Sequence, residues 1–441
     1  MSAITAAKRK IDRGTAAHHT SIANWAPHSF DLWRCELATR ILPRFALHLM
    51  RPLTTFVRSG FFVGVTLVVA CEKDATSAPT KAIPSAYRLL YETSVSSGTR
   101  NVFQLSLVNL DGSAPVTLVA NALAPPNASW SHDGSRIAFV YDSVSIDTVN
   151  YIRVVNADGS GAVNLLKPFH SAALSPPSWS ADGSEIAFIA CDQSPCDSLV
   201  IWIAKTDGTS LHAFPNTTQL SPFVSGSPLW SPDGTKIAYP YLDEPNQESY
   251  GEKVVDTTTG TTPIVVVSRR GFDAGGISLS SYAWAPTSDH LAFAATQFAQ
   301  GGPGPSAVAT ALIVPSDGSN TLGTAIPNVP QSTEIMLAWS PSGTALLLTT
   351  FNNLPPYNEA TLSGSVFTLA PDGTNETTLA SYRGFFENPA WSPDGRYVSF
   401  TISGVRGETP GTNLYAMPTT GGNAFAVTST DGIVYAASWQ P

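Results

Sequence analysis

The chain has 441 residues with 24 Lys and Arg against 33 Asp and Glu, a formal net charge of −9, and only 13% of its residues are charged. Nine basic and three acidic residues precede Cys71, which leaves 15 basic and 30 acidic after it, a net of −15. That balance disfavours nucleic acid and an anionic membrane face as partners, since both demand basic surface, and 33 Gly and 34 Pro point to a β-protein with many turns.

Residues 1–49 carry a basic cluster (Lys8, Arg9, Lys10) and two adjacent histidines, with no clear period. They make little sense ahead of a signal, so they are read as a disordered extension or as untranslated, with Met50 the true start. A nucleic-acid-binding arm is the alternative, weakly supported by one basic triplet. Residues 50–70 form a secretory signal: Arg51 and Arg58, then the apolar run GFFVGVTLVVA over Gly60–Ala70. The run is shorter than the ~20 residues a transmembrane helix needs. Val68-Val69-Ala70-Cys71 resembles the lipobox of bacterial lipoproteins. That resemblance implies cleavage before Cys71, a lipid on its sulfur and a membrane anchor; the alternative is an ordinary cysteine after a conventional signal. Residues 71–85, rich in Ala, Ser, Thr, Pro and Lys, are expected to be a flexible tether.

From residue 86 onward one phrase recurs: ASWSHDGSRIAFV at Ala128, PSWSADGSEIAFI at Pro177, PLWSPDGTKIAYP at Pro228, YAWAPTSDHLAFA at Tyr282, LAWSPSGTALLLT at Leu337 and PAWSPDGRYVSFT at Pro389. A truncated copy ends the chain at Trp439. The seven tryptophans are spaced by 49, 51, 54, 55, 52 and 48 residues, a period that marks an array of like units. Each phrase reads as two short apolar runs, a and b, around an Asp-Gly turn. A second phrase follows, as in IRVVNADGS from Ile152 and VIWIAKTDGT from Val200, and supplies strand c, a turn and strand d.

Four antiparallel strands per unit, repeated in a ring, make a β-propeller. Tyr87–Tyr91, Val102–Leu110 and Val116–Val119 look like strands b, c and d lacking an a, and Trp439 lies on an a with nothing after it. The reading is an all-β, seven-bladed propeller over 86–441, with one blade closed by pairing the two ends of the chain. The W-S-P-D-G phrase resembles the WD-like repeat of TolB-like propellers, and is similar to the propeller domains of tricorn-type and prolyl-oligopeptidase-type proteases. The resemblance covers nearly all of the chain after the signal and implies the fold rather than an activity.

Residues repeated in every blade are scaffold: Asp133, Asp182, Asp233 and Asp394 belong to turns, and the tryptophans to the core between blades. His132, His170, His212 and His290 are dispersed, which argues against a metal centre or a Ser-His-Asp triad, and no G-x-S-x-G elbow occurs. No cofactor and no metal are expected. Cys191 and Cys196 flank a four-residue b–c loop and are read as a structural disulfide. The b–c and d–a loops vary while the a–b and c–d turns are uniform, so binding belongs to the variable-loop end. Its candidates are Arg269, Arg270, Phe272, Tyr357, Arg383, Phe385, Phe386 and Arg406, of the types that dominate hot spots. The function read from this is a monomeric, non-catalytic, lipid-anchored scaffold in the bacterial cell envelope, periplasmic or outer-membrane associated, binding protein or peptide partners. The alternatives are a propeller enzyme (a polysaccharide lyase or hydrolase) and a carbohydrate-binding module taking a glycan at the channel mouth.

Overall fold

Each tryptophan phrase folds into two antiparallel strands held by a small hydrogen-bonded turn. In the computed structural model, Ser131 N–H donates to Arg136 O at 2.9 Å, and Ser131 Oγ donates to Asp133 Oδ1 at 2.6 Å. The same carboxylate accepts Ser135 N–H at 3.0 Å, and Gly134 takes φ +65°. The serine after the tryptophan is therefore buried, as Ser131, Ser231 and Ser392 are, because its hydroxyl belongs to the turn. These hydrogen bonds, led by the Ser131 hydroxyl, hold the Asp133 carboxyl down at about 2.

The structure describes residues 86–97, 100–123, 125–143, 149–165, 175–191, 198–215, 220, 226–242, 249–259, 263–270, 277–298, 307–330, 332–352, 363–382, 384–403, 412–430 and 432–441. The proposed extension, signal and tether lie outside them. Among the described residues there are 28 strands and no helix. They form five four-stranded sheets and one eight-stranded sheet. The larger one is two blades joined by a single parallel contact, Thr412 with Ile433. Seven four-stranded blades result. Blade 1 combines strand Ile433–Trp439 with three strands over 88–122, and blades 2 to 7 span 129–164, 178–213, 229–270, 277–325, 334–382 and 385–426.

The two ends of the chain pair as expected. Arg88–Ser97 runs antiparallel to Ile433–Trp439, with Leu89 opposite Trp439 and Tyr91 opposite Ala437. All seven seams between successive blades carry hydrogen bonds. Trp179 donates its indole N–H to Ser129 O (3.2 Å), Trp284 to Leu229 O (3.0 Å), Trp339 to Ala283 O (3.2 Å) and Trp391 to Ala338 O (3.3 Å). Ser178 Oγ accepts Trp230 N–H at 3.0 Å, Asn388 Nδ2 donates to Tyr435 O at 2.9 Å, and Gln440 Nε2 donates to Gly134 O at 2.7 Å, which closes the ring. The tryptophans are thus seam residues, and each blade pair buries its own apolar cluster, such as Trp179 with Ala138, Val140 and Phe188.

The inner strands differ around the ring. Strand a is two residues long in blades 2, 3 and 4 (Ser129–Trp130, Ser178–Trp179, Leu229–Trp230) but extends over Ile277–Trp284, Glu334–Trp339, Phe385–Trp391 and Ile433–Trp439 elsewhere. Pro177 and Pro228 stand directly before the short strands of blades 3 and 4, where a missing N–H ends the pairing. In blade 7 Pro389 is accommodated by a bulge between Glu387 and Ala390, where Asn388 takes φ +54°.

Candidate functional site

Strand a of blades 6 and 7 begins at the variable-loop end of the ring, and the described part of the candidate face lies there. Phe385 is half-buried and stacks on Phe351 of blade 6, with ring centroids 3.8 Å apart. Phe386 is not on the surface, contrary to the sequence expectation. It is 3% exposed and packs edge-on against Phe400 at 5.4 Å, in a cluster with Leu347 and Val366 of blade 6. The seam between two sheets needs bulk at that level, and the first strand residues supply it. Arg269 and Arg270 end the outer strand of blade 4, opposite Tyr250 and Ser249, and their side chains lie outside what is described. Phe272, Tyr357, Arg383 and Arg406 also lie outside the described residues.

Four glutamates escaped the sequence reading. Glu334 begins strand a of blade 6 and is exposed; Glu387 lies on strand a of blade 7. Together with Met336, Thr349, Phe351, Phe385 and Phe386 they line one small recess. Burial raises the Glu387 carboxyl above its ordinary range, and the charge of Glu334 adds to the rise. Glu92 is 3% exposed in the seam between blades 1 and 2, where its carboxylate accepts Ala128 N–H at 2.6 Å and Asn127 N–H at 3.2 Å. Burial raises it, and those hydrogen bonds oppose the rise. Glu252 sits on strand c of blade 4, fully buried, with Oε2 unpartnered and its carboxyl raised well above the ordinary range by loss of water. A signal existed for Glu92: it occupies the strand-b position held by Val140 and Ile189 in the next two blades. Glu252 carries the same kind of signal, since it occupies the strand-c position held by Ile152 and Ile201 in the two preceding blades.

Cys191, at the end of strand Glu185–Cys191, is disulfide-bonded; Cys196, the partner expected from the sequence, lies outside the described residues. His132 is exposed in its turn, and His290 pairs with Asp289 at 3.0 Å. Among the described residues no group of three or more His, Cys, Asp or Glu is arranged to hold a metal ion. What the face offers chemically is an aromatic stack flanked by two carboxyls, of which Glu387 is raised above its ordinary range.

No family model matches the sequence, and no curated protein matches it. Solved structures to which the chain is similar include TolB from Acinetobacter baumannii, at 16% identity over 79% of this chain and 81% of that one, with a TM-score of 0.44. Another is an oligogalacturonate lyase in complex with manganese, at 13% identity over 76% and 83%, TM-score 0.47. The tricorn protease is similar at 11% identity over 79% of this chain and 36% of that one, TM-score 0.48.

Proposed function

We propose that this propeller is a non-catalytic binding scaffold of the bacterial cell envelope, held to a membrane by a lipid on Cys71, that takes a protein or peptide partner at its variable-loop end. The observation that carries this reading is the Phe351–Phe385 stack at the mouth of the ring, with Glu334 and Glu387 beside it. A rigid aromatic platform with a charged rim is the composition of a binding hot spot. By contrast, Asp133 and Trp179, which belong to the phrase repeated around the ring, are engaged in a turn and a seam. The partner's side of the contact is basic or amphipathic, since 30 acidic residues against 15 basic follow the signal. Affinity purification of the tagged protein from membranes, with the captured proteins identified by mass spectrometry, tests it. Capture of one stoichiometric partner supports the scaffold; recovery of the propeller alone, with and without cross-linking, counts against it.

One observation favours a second reading. Burial, and then the charge of Glu334, raise the Glu387 carboxyl, and a raised carboxyl beside a second one at one mouth is an arrangement acid–base chemistry on a glycan uses. Depolymerisation of an acidic or neutral polysaccharide by the wild type, lost in Glu387→Gln, would establish it.

A further inference from the structure

The blades repeat, so each seam can be compared with its neighbours at equivalent positions. Between blades 2 and 3, Arg136 lies over the ring of Trp179, its guanidinium carbon 5.1 Å from the ring centroid. Its two terminal nitrogens donate to Gly183 O at 2.6 Å and Thr206 Oγ1 at 2.8 Å. Between blades 1 and 2, the carbonyl equivalent to Gly183 O is Gly134 O, and Gln440 donates to it at 2.7 Å while Arg88 reaches Ala157 O at 3.4 Å. Between blades 7 and 1, Tyr397 occupies the Arg136 position and stacks against Trp439 at 6.5 Å.

The seam between blades 3 and 4 keeps the receiving half of this arrangement and lacks the occupant. The tryptophan is Trp230, and the acceptors are Gly234 O and Thr257 Oγ1, which are joined to each other at 3.0 Å. The residue at the Arg136 position is Glu185, half-buried, whose carboxylate makes no hydrogen bond or ion pair among the described residues. Lys205 faces it across the strand pair, exposed. An open cleft of about 450 Å³ results, lined by Asp182, Glu185, His212, Trp230, Asp233 and Thr257 among others. Trp230 is 8% exposed, and its indole N–H has no acceptor, whereas those of Trp179 and Trp284 do. The turn carboxylates of Asp182 and Asp233 are held below their ordinary range by Ser and Thr donors, so both carry charge at neutral pH.

We infer that this cleft binds a guanidinium group, the arginine side chain of a partner, seated on Trp230 between Glu185, Gly234 O and Thr257 Oγ1 as Arg136 is seated on Trp179. The cleft has the face a cation needs, the carbonyl and hydroxyl that a guanidinium fork meets in the preceding seam, and a carboxylate in place of the internal arginine. It lies at the uniform-turn end of the ring, opposite the variable loops, so it stands or falls separately from the binding proposed there. A guanidinium meets the two acceptors with a planar fork while its face lies on the ring, whereas an ammonium is a compact point charge without that fork, which makes arginine the better ligand than lysine.

The test is titration of the whole protein with the blocked tripeptide Gly-Arg-Gly, its lysine and citrulline counterparts, and methylguanidine, read by the Trp230 indole signal in NMR spectra assigned with Trp230→Phe. The arginine peptide and methylguanidine are expected to shift that signal with saturation, citrulline about ten-fold more weakly or not at all, and Glu185→Gln is expected to weaken arginine binding by roughly five- to ten-fold. If the arginine peptide saturates the signal and methylguanidine does not, the site is a peptide site reading its arginine; if both do, the guanidinium alone is sufficient. Glu185→Arg rebuilds the blade 2 arrangement, and is expected to abolish binding while raising the melting temperature. No shift with any guanidinium ligand at millimolar concentration, equal response to citrulline, or binding unchanged in Glu185→Gln overturns the inference.

Discussion

Trp284 donates its indole N–H to the carbonyl of Leu229, 3.0 Å away, and Leu229 is the residue immediately before the tryptophan of the preceding blade. The same link joins Trp179 to Ser129, Trp339 to Ala283 and Trp391 to Ala338. Each of these four tryptophans thus fixes the inner strand of the blade before its own, and the recurring phrase encodes the seam as well as the sheet.

This gives a comparison with an internal control. Trp284 and Trp230 are equally buried, at 8% exposed, but the Trp230 N–H has no acceptor. Both Trp→Phe changes remove similar ring volume, and only Trp284→Phe also removes a hydrogen bond and strands a carbonyl. Trp284→Phe is expected to cost about 1 kcal/mol more than Trp230→Phe, measured by chemical denaturation at constant m. Equal losses contradict the role given to the N–H.

Closure by the chain ends makes the last ten residues structural. They include strand Ile433–Trp439, which pairs with Arg88–Ser97, and Gln440, which reaches Gly134. A chain truncated after residue 431 is expected to lose its cooperative thermal transition or to melt far below the full chain. Unchanged melting would contradict the closure.

Stability should fall with rising pH on account of Glu252. Its carboxyl keeps its proton in the folded state, whereas in the unfolded chain it ionises near the usual ~4.3. The unfolded state is therefore favoured progressively above that value, by up to about 1.4 kcal/mol per pH unit until the folded group ionises. Glu252→Gln should flatten the decline in melting temperature as pH rises above about 5. Asp133 acts in the opposite direction: its folded value of about 2 gives stability that is present above its unfolded value and lost as pH falls toward 2. Asp133→Asn should reduce the slope on the acid side only.

The proposed lipid anchor has its own assay. Incorporation of labelled palmitate in bacteria producing the full chain is expected for the wild type and lost in Cys71→Ser, which should also shift the protein from membrane to soluble fractions. Labelling that survives the substitution contradicts the lipid.

Blade number, strand order, chain-end closure and the structural use of the repeated Asp and Trp were all legible, because each is written once per blade in residue types that turns and seams demand. The unequal length of the inner strands was not: Pro177 and Pro228 stand directly before the short ones of blades 3 and 4, and their effect shows only once the strand is known to need those N–H groups. Phe386 read as a surface aromatic because a sequence does not say that blade 6 presents Leu347 and Val366 opposite it. The glutamates were missed for the same reason. Glu92 is acceptable in a strand only because the next blade offers the N–H groups of Asn127 and Ala128. Contacts within a blade follow a local pattern, whereas contacts across a seam depend on residues about fifty positions away.

Binding of an envelope partner by the variable-loop end is tested most directly by co-purification from membranes with the wild type and with the Arg383→Ala, Phe385→Ala double variant, each first shown to melt cooperatively as a folded propeller. The proteins enriched by the wild type are expected to be lost or at least ten-fold depleted with the double variant. An unchanged set of captured proteins would contradict it.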